Sequence, residues 1–120
     1  MEEYVYAKKR AKPRFNVNLK ANYFIMGKVI QHQACRITNL STIDATVRFP
    51  RNASLKSGDL IGMDIVIPNT IIHIPAKAEI MGIKQHTNEL MSYIKFTTVL
   101  SDDMIQQLVK KIPEVAIDAR

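Results

Sequence analysis

Cys35 is the only cysteine in 120 residues, so no internal disulfide can brace the chain, and a reducing cytoplasm is the expected setting. Gly and Pro are sparse, which argues against disorder and low complexity. No apolar run reaches the roughly 18–20 residues that cross a bilayer, so no membrane span is expected. The opening Met-Glu-Glu-Tyr has no apolar stretch behind a basic one, and no secretory signal is expected. No βαβ pattern occurs, which excludes a dinucleotide or P-loop site. His32, His73 and His86 are scattered, with no Cys or second His at ligand spacing, so no metal and no cofactor are expected. No nucleophile, base and electrophile fall into a recognisable set, and an enzyme is not expected.

Acidic residues are missing from one long stretch. None stands between Glu3 and Asp44, where Lys8, Lys9, Arg10, Lys12, Arg14, Lys20, Lys28 and Arg36 all lie. From Asp44 onward nine acidic residues balance nine basic ones, so the whole net charge of +6 sits in the first third. Such a run raises the local concentration of an anionic partner. It also fits a basic nucleic-acid-binding barrel, but the strands lack the exposed aromatics that stack bases, and no nucleic acid is expected.

What is present is alternation. Residues 1–14 have no clear period and read as a flexible basic arm. Val17, Leu19, Ala21, Tyr23 and Ile25 then alternate with polar residues, predicting a half-buried strand. Gly27 permits a turn into a second strand near 28–38, and a polar turn at 39–44 follows. Ala45, Val47 and Phe49 predict a third strand, and Ile61, Met63, Ile65 and Ile67 a fourth. Ile72, Ile74, Ala76, Ala78 and Ile80 predict a fifth, with an edge or bulge at Pro75. A sixth covers about 91–99. Ser101, Asp102 and Asp103 open a helix whose stripe is Ile105, Leu108, Val109 and Ile112, and which Pro113 ends. Six short strands and one helix predict a mainly β protein, a six-stranded antiparallel barrel closed to remove its edges, with a C-terminal α-helix. The expected division is an arm at 1–14, the barrel and helix at 15–112, and a loose tail at 113–120.

Two motifs frame the first strands. Arg10 and Arg14 form Arg-x-x-x-Arg, and Asn39-Leu40-Ser41-Thr42-Ile43-Asp44 forms a polar turn about 25 residues later. An arginine fork fits phosphate oxygens or the N7/O6 edge of guanine. Asn and Ser in a tight turn offer short, fixed hydrogen-bonding groups.

In order and spacing these motifs resemble those of the PilZ family, receptor domains for cyclic di-GMP, whose pattern is Arg-x-x-x-Arg followed by Asp/Asn-x-Ser-x-x-Gly. The resemblance covers roughly residues 8–112. It implies a PilZ-like split barrel in a bacterial, cytoplasmic signalling protein. It implies a cyclic di-GMP site built from Arg10, Arg14, Asn39, Ser41 and the position of Asp44, an arm ordered by ligand, and a downstream protein partner. The chain departs from the pattern at Asp44, which replaces glycine. Its carboxylate can repel phosphate or pair with Arg14. An adaptor that works by protein contacts without nucleotide is therefore the alternative.

Overall fold

The computed structural model describes residues 14–28, 32–110 and 116–118, with residues 109–110 and 116–118 as backbone only. The strands are β1 (Arg14–Ile25), β2 (Gln33–Leu40), β3 (Asp44–Pro50), β4 (Leu60–Val66), β5 (His73–Gln85) and β6 (Glu89–Phe96); helix α1 (Asp102–Lys110) and a short β7 (Ala116–Asp118) complete the order. The ladder runs β2-β3-β6-β5-β4-β1, and β1 pairs β2 to close it. All pairings are antiparallel. The protein is thus a closed six-stranded antiparallel β-barrel with one short C-terminal helix.

Alternation sets the inside. Leu19, Ala21 and Tyr23 of β1, Ala45, Val47 and Phe49 of β3, Ile61, Met63 and Ile65 of β4, and Ile94 and Phe96 of β6 are buried together. Tyr23 packs edge-on against Phe49. Ile105 and Leu108 of α1, with Leu100 before it, join the same core. The helix begins where the sequence places it. Ser101 Oγ accepts a hydrogen bond from Met104 N at 3.1 Å, and Asp102 and Asp103 fill the first turn. Ile112 lies outside the described residues.

Four expectations need correction. The second strand begins at Gln33 and runs on to Leu40, so the turn shrinks to 41–43. An extra residue near Thr38 shifts the register, which turns Leu40 inward, fully buried. Ile72 lies outside β5 on the hairpin tip at 67–72, and it is exposed. In return β5 continues to Gln85 and β6 begins at Glu89 and ends at Phe96. The bulge near Met81 breaks the alternation there, which hid the extension. Finally, Ala116–Asp118 is a strand rather than a loose tail, pairing with Arg14–Asn16 of β1. Residues 15 and 16 pair with β2 as well, so β7 continues the edge that β4 covers further along.

Other local signals hold. Gly27 adopts φ 87° in the turn out of β1. Pro75 sits where β5 pairs with β4 alone, before its ladder with β6 begins at Ala78, so its missing N–H leaves no gap. Gly62 has the Phe24 ring lying over it, where a Cβ would collide.

Cys35 is buried, and burial pushes its thiol up to about 12. The unfolded thiol ionises near 9.0, so between about 9 and 12 the unfolded state holds fewer protons than the folded one. Stability is therefore complete below pH 9 and falls as pH rises, by up to about 1.4 kcal/mol per unit. Tyr23, raised by burial and by Cys35, adds in the same direction. Urea unfolding between pH 8 and 11 should show this decline, and Cys35→Ala should make it shallower. An equal slope in the variant would refute the assignment.

Candidate functional site

Register brings Arg14 to the polar turn. Asn16 on β1 pairs with Asn39 on β2, and Phe15 pairs with Leu40. Arg14, one residue before Phe15, meets the turn at Asp44 Oδ1, the oxygen that Ser41 also bonds. Arg10 lies outside the described residues.

The turn is tied internally by Ser41, which is fully buried. Its N–H donates to Asp44 O at 2.9 Å. Its Oγ accepts from Ile43 N and Asp44 N, each at 3.1 Å, and donates to Asp44 Oδ1 at 2.7 Å. A hydroxyl has one proton and two lone pairs, so these bonds use all of it. Ser41 braces the turn from within. Asn39 is half-buried on the ladder beside it.

Asp44 is the centre of the arrangement. It opens β3 with the same parity as Thr46 and exposed Arg48, which puts it on the outer face of the barrel. Yet it is only 2% exposed, because its neighbours cover it. Tyr93 donates its hydroxyl to Asp44 Oδ2 at 2.6 Å, and Ser41 holds Oδ1. Arg14 Nε approaches Oδ1 at 3.6 Å, and the guanidinium carbon lies 5.7 Å from the centre of the Tyr93 ring. Burying a carboxylate costs several kcal/mol unless donors and an opposite charge compensate. Here two hydroxyls and a guanidinium do so. The Arg14 contact is the loosest of these. At 3.6 Å it is an ion pair without a good hydrogen bond, and Arg14 Nε finds no hydrogen-bond partner among the described residues. A fifth of the Arg14 side chain stays exposed.

The sequence singled out Arg14 and Asp44 and anticipated their pairing. It missed Tyr93, whose ring and hydroxyl both serve the site. Thr46 pairs Asn39 on one side and Tyr93 on the other, which sets Tyr93 in the same cross-strand row. No local motif marks Tyr93, because it arrives through a register across β3. Beside it an open groove of about 390 Å³ is lined by Thr46, Gly82, Ile83, Lys84, Met91 and Ser92.

The corner also holds the chain that enters α1. Ile43 O accepts from Phe96 N at 2.9 Å, and Thr42 O accepts from Leu100 N at 2.8 Å. No group of three or more His, Cys, Asp or Glu that could hold a metal occurs among the described residues. No helix among them is long and apolar enough to cross a membrane.

No family model matches this chain, and no curated protein sequence matches it. Among solved structures it is similar to the Bacillus subtilis inhibitor of motility, MotI/DgrA, with a TM-score of 0.64 and 14% identity, covering 85% of this chain and 49% of that one. The chain therefore spans about half the length of that protein. At 14% identity this likeness speaks for the fold alone.

Tyr93→Phe keeps the ring under Arg14 and removes one donor from a buried carboxylate. It should lower the unfolding free energy by about 1.5–3 kcal/mol in urea with an unchanged m-value. Tyr93→Leu, which removes the ring as well, should cost more. Wild-type stability in Tyr93→Phe would refute the role of the hydroxyl.

Proposed function

We propose that this protein is a receptor domain for cyclic di-GMP that binds at the Arg14 corner and signals to a partner protein. The observation that carries this reading is the convergence of Arg14 with the turn at 41–44, through the Asn16–Asn39 and Phe15–Leu40 register. Cyclic di-GMP offers two singly charged phosphates and two guanines. Arg14 presents a partly exposed fork held loosely by Asp44, and Arg10 precedes it by four residues. Asn39 supplies an amide to a guanine edge.

In this reading Ser41 and Asp44 position, and Arg14 and Asn39 bind. Asp44 does not expose its charge to an incoming phosphate, since Tyr93 and Ser41 cover both its oxygens. When Arg14 turns to the ligand, Asp44 keeps those two bonds but loses its partner charge, a cost that the new contacts to the ligand must exceed. Each charge-assisted bond to phosphate or guanine contributes about 1.5–3 kcal/mol net. Two arginines with several such bonds support micromolar binding after the arm is ordered. Ligand then favours the ordered arm over the free one, and the new surface is what a partner recognises. No catalytic step is involved.

The same network favours a second reading. The Asp44 carboxylate is compensated from within the corner by Ser41, Tyr93 and Arg14, as expected of an adaptor that dispenses with nucleotide.

Calorimetric titration separates the two. Wild-type protein should bind cyclic di-GMP in the micromolar range and ignore GMP. Arg14→Ala and Arg10→Ala should each weaken binding at least tenfold while the melting curve retains its cooperativity. Undiminished affinity in both variants sinks the site. No binding by the wild type, with binding gained in a folded Asp44→Gly variant, marks the adaptor.

A further inference from the structure

Glycine inside a strand weakens it, so a strand glycine calls for a reason. Gly62 on β4 has one. The Phe24 ring lies over it, and a Cβ there would strike the ring. Gly82 on β5 has no such reason. Its φ is not left-handed, so the bulge beside it does not require glycine. A Cβ built on it would meet nothing within 4 Å. It stands directly opposite Tyr93 on β6, and both line the groove of about 390 Å³ beside the Arg14 corner. The groove walls include Met91 and Ile83, and Lys84 is its one charged residue. Ser92 fixes the floor from beneath, donating to Gly82 O at 2.9 Å. The barrel thus carries one strand glycine covered by an aromatic ring and one left bare in an apolar groove.

We propose that this groove is the seat of the chain's own N-terminal segment, residues 4–6, with a tyrosine ring laid over Gly82 as Phe24 is laid over Gly62. Reach, composition and charge choose this occupant. Residues 1–13 lie outside the described residues, and they join the barrel at Arg14, whose guanidinium carbon is 5.7 Å from the centre of the Tyr93 ring. Tyr93 is a wall of the groove. Tyr6 precedes Arg14 by eight residues, and eight residues span up to about 27 Å, enough to pass Tyr93 and reach Gly82. Tyr4-Val5-Tyr6 is the one apolar run before Arg14, and it holds two of the four tyrosines in the chain. An aromatic ring suits the Met91 thioether as well as the bare backbone. Glu2 and Glu3, next to this run, are the only acids before Asp44, and Lys84 is there to meet them. A tether this short closes at small entropic cost, an advantage that a separate partner lacks. Docked in this way, the segment has a fixed point on either side of Arg10.

The test uses the full chain without nucleotide, so it stands or falls apart from the receptor reading. Trypsin cuts after Lys8, Lys9 and Arg10, and its rate there reports how often the segment leaves its seat. Gly82→Val fills the floor of the groove, and Tyr4→Ser with Tyr6→Ser removes the rings. Each should raise the cleavage rate about tenfold. Gly82→Val should not lower the melting temperature, because its side chain enters open space. Ala34→Val, a comparable change at an exposed position on β2, should leave the rate as it is. In the wild type, nuclear Overhauser contacts should join the Met91 methyl to tyrosine ring protons that are absent from the Tyr4→Ser, Tyr6→Ser variant. A wild-type cleavage rate in either variant, an equal rise in Ala34→Val, or Met91 contacts that survive the loss of both tyrosines would overturn the proposal. Protection that grows with protein concentration would overturn it too, since the segment would then come from a second copy.

Discussion

The Asp44 carboxylate is buried on a face of the barrel that ordinarily meets water, and much of the corner follows from keeping it compensated. Ser41 must turn its hydroxyl inward, which fixes the turn. Tyr93 must lean across from β6, which gives the corner its roof. Arg14 must start β1 where its charge can reach Oδ1. An uncompensated buried charge would cost several kcal/mol, comparable to much of the stability of a domain this size. The group that breaks the family-like motif is thus the one around which the local structure is organised.

Closure gives that corner its rigidity. β1 is the shared strand, bonded to β2 along most of its length and to β4 and β7 on its other edge. Its first residues are therefore fixed from both sides. The carbonyls of Thr42 and Ile43 extend the same frame to the start of α1, whose Ile105 and Leu108 reach into the core. Arg14, the turn and the entry to the helix meet at one end of one barrel, so a change at Arg14 has a short mechanical route to the helix.

Much of the fold was legible because inward apolar and outward polar residues alternate cleanly in β1, β3 and β4. The Ser101 cap and the helical stripe were equally plain. What escaped the sequence shares one cause. Bulges near Thr38 and Met81 shift the side-chain parity by one, which hid the end of β2 and the second half of β5. The three-residue β7 is too short to show a period and owes its existence to an open stretch of β1 edge. At the site, Arg14 and Asp44 were visible from charge and motif, and so was their option of pairing. Tyr93 was not, because contacts between strands 49 residues apart leave no local trace.

The anchoring of β1 by β2 and β7 has one more consequence. Covalent geometry lets four residues span at most about 14 Å, so the Cα of Arg10 falls within that distance of the Cα of Arg14 whatever conformation the intervening residues take. Any substitution that displaces the start of β1 would carry position 10 with it.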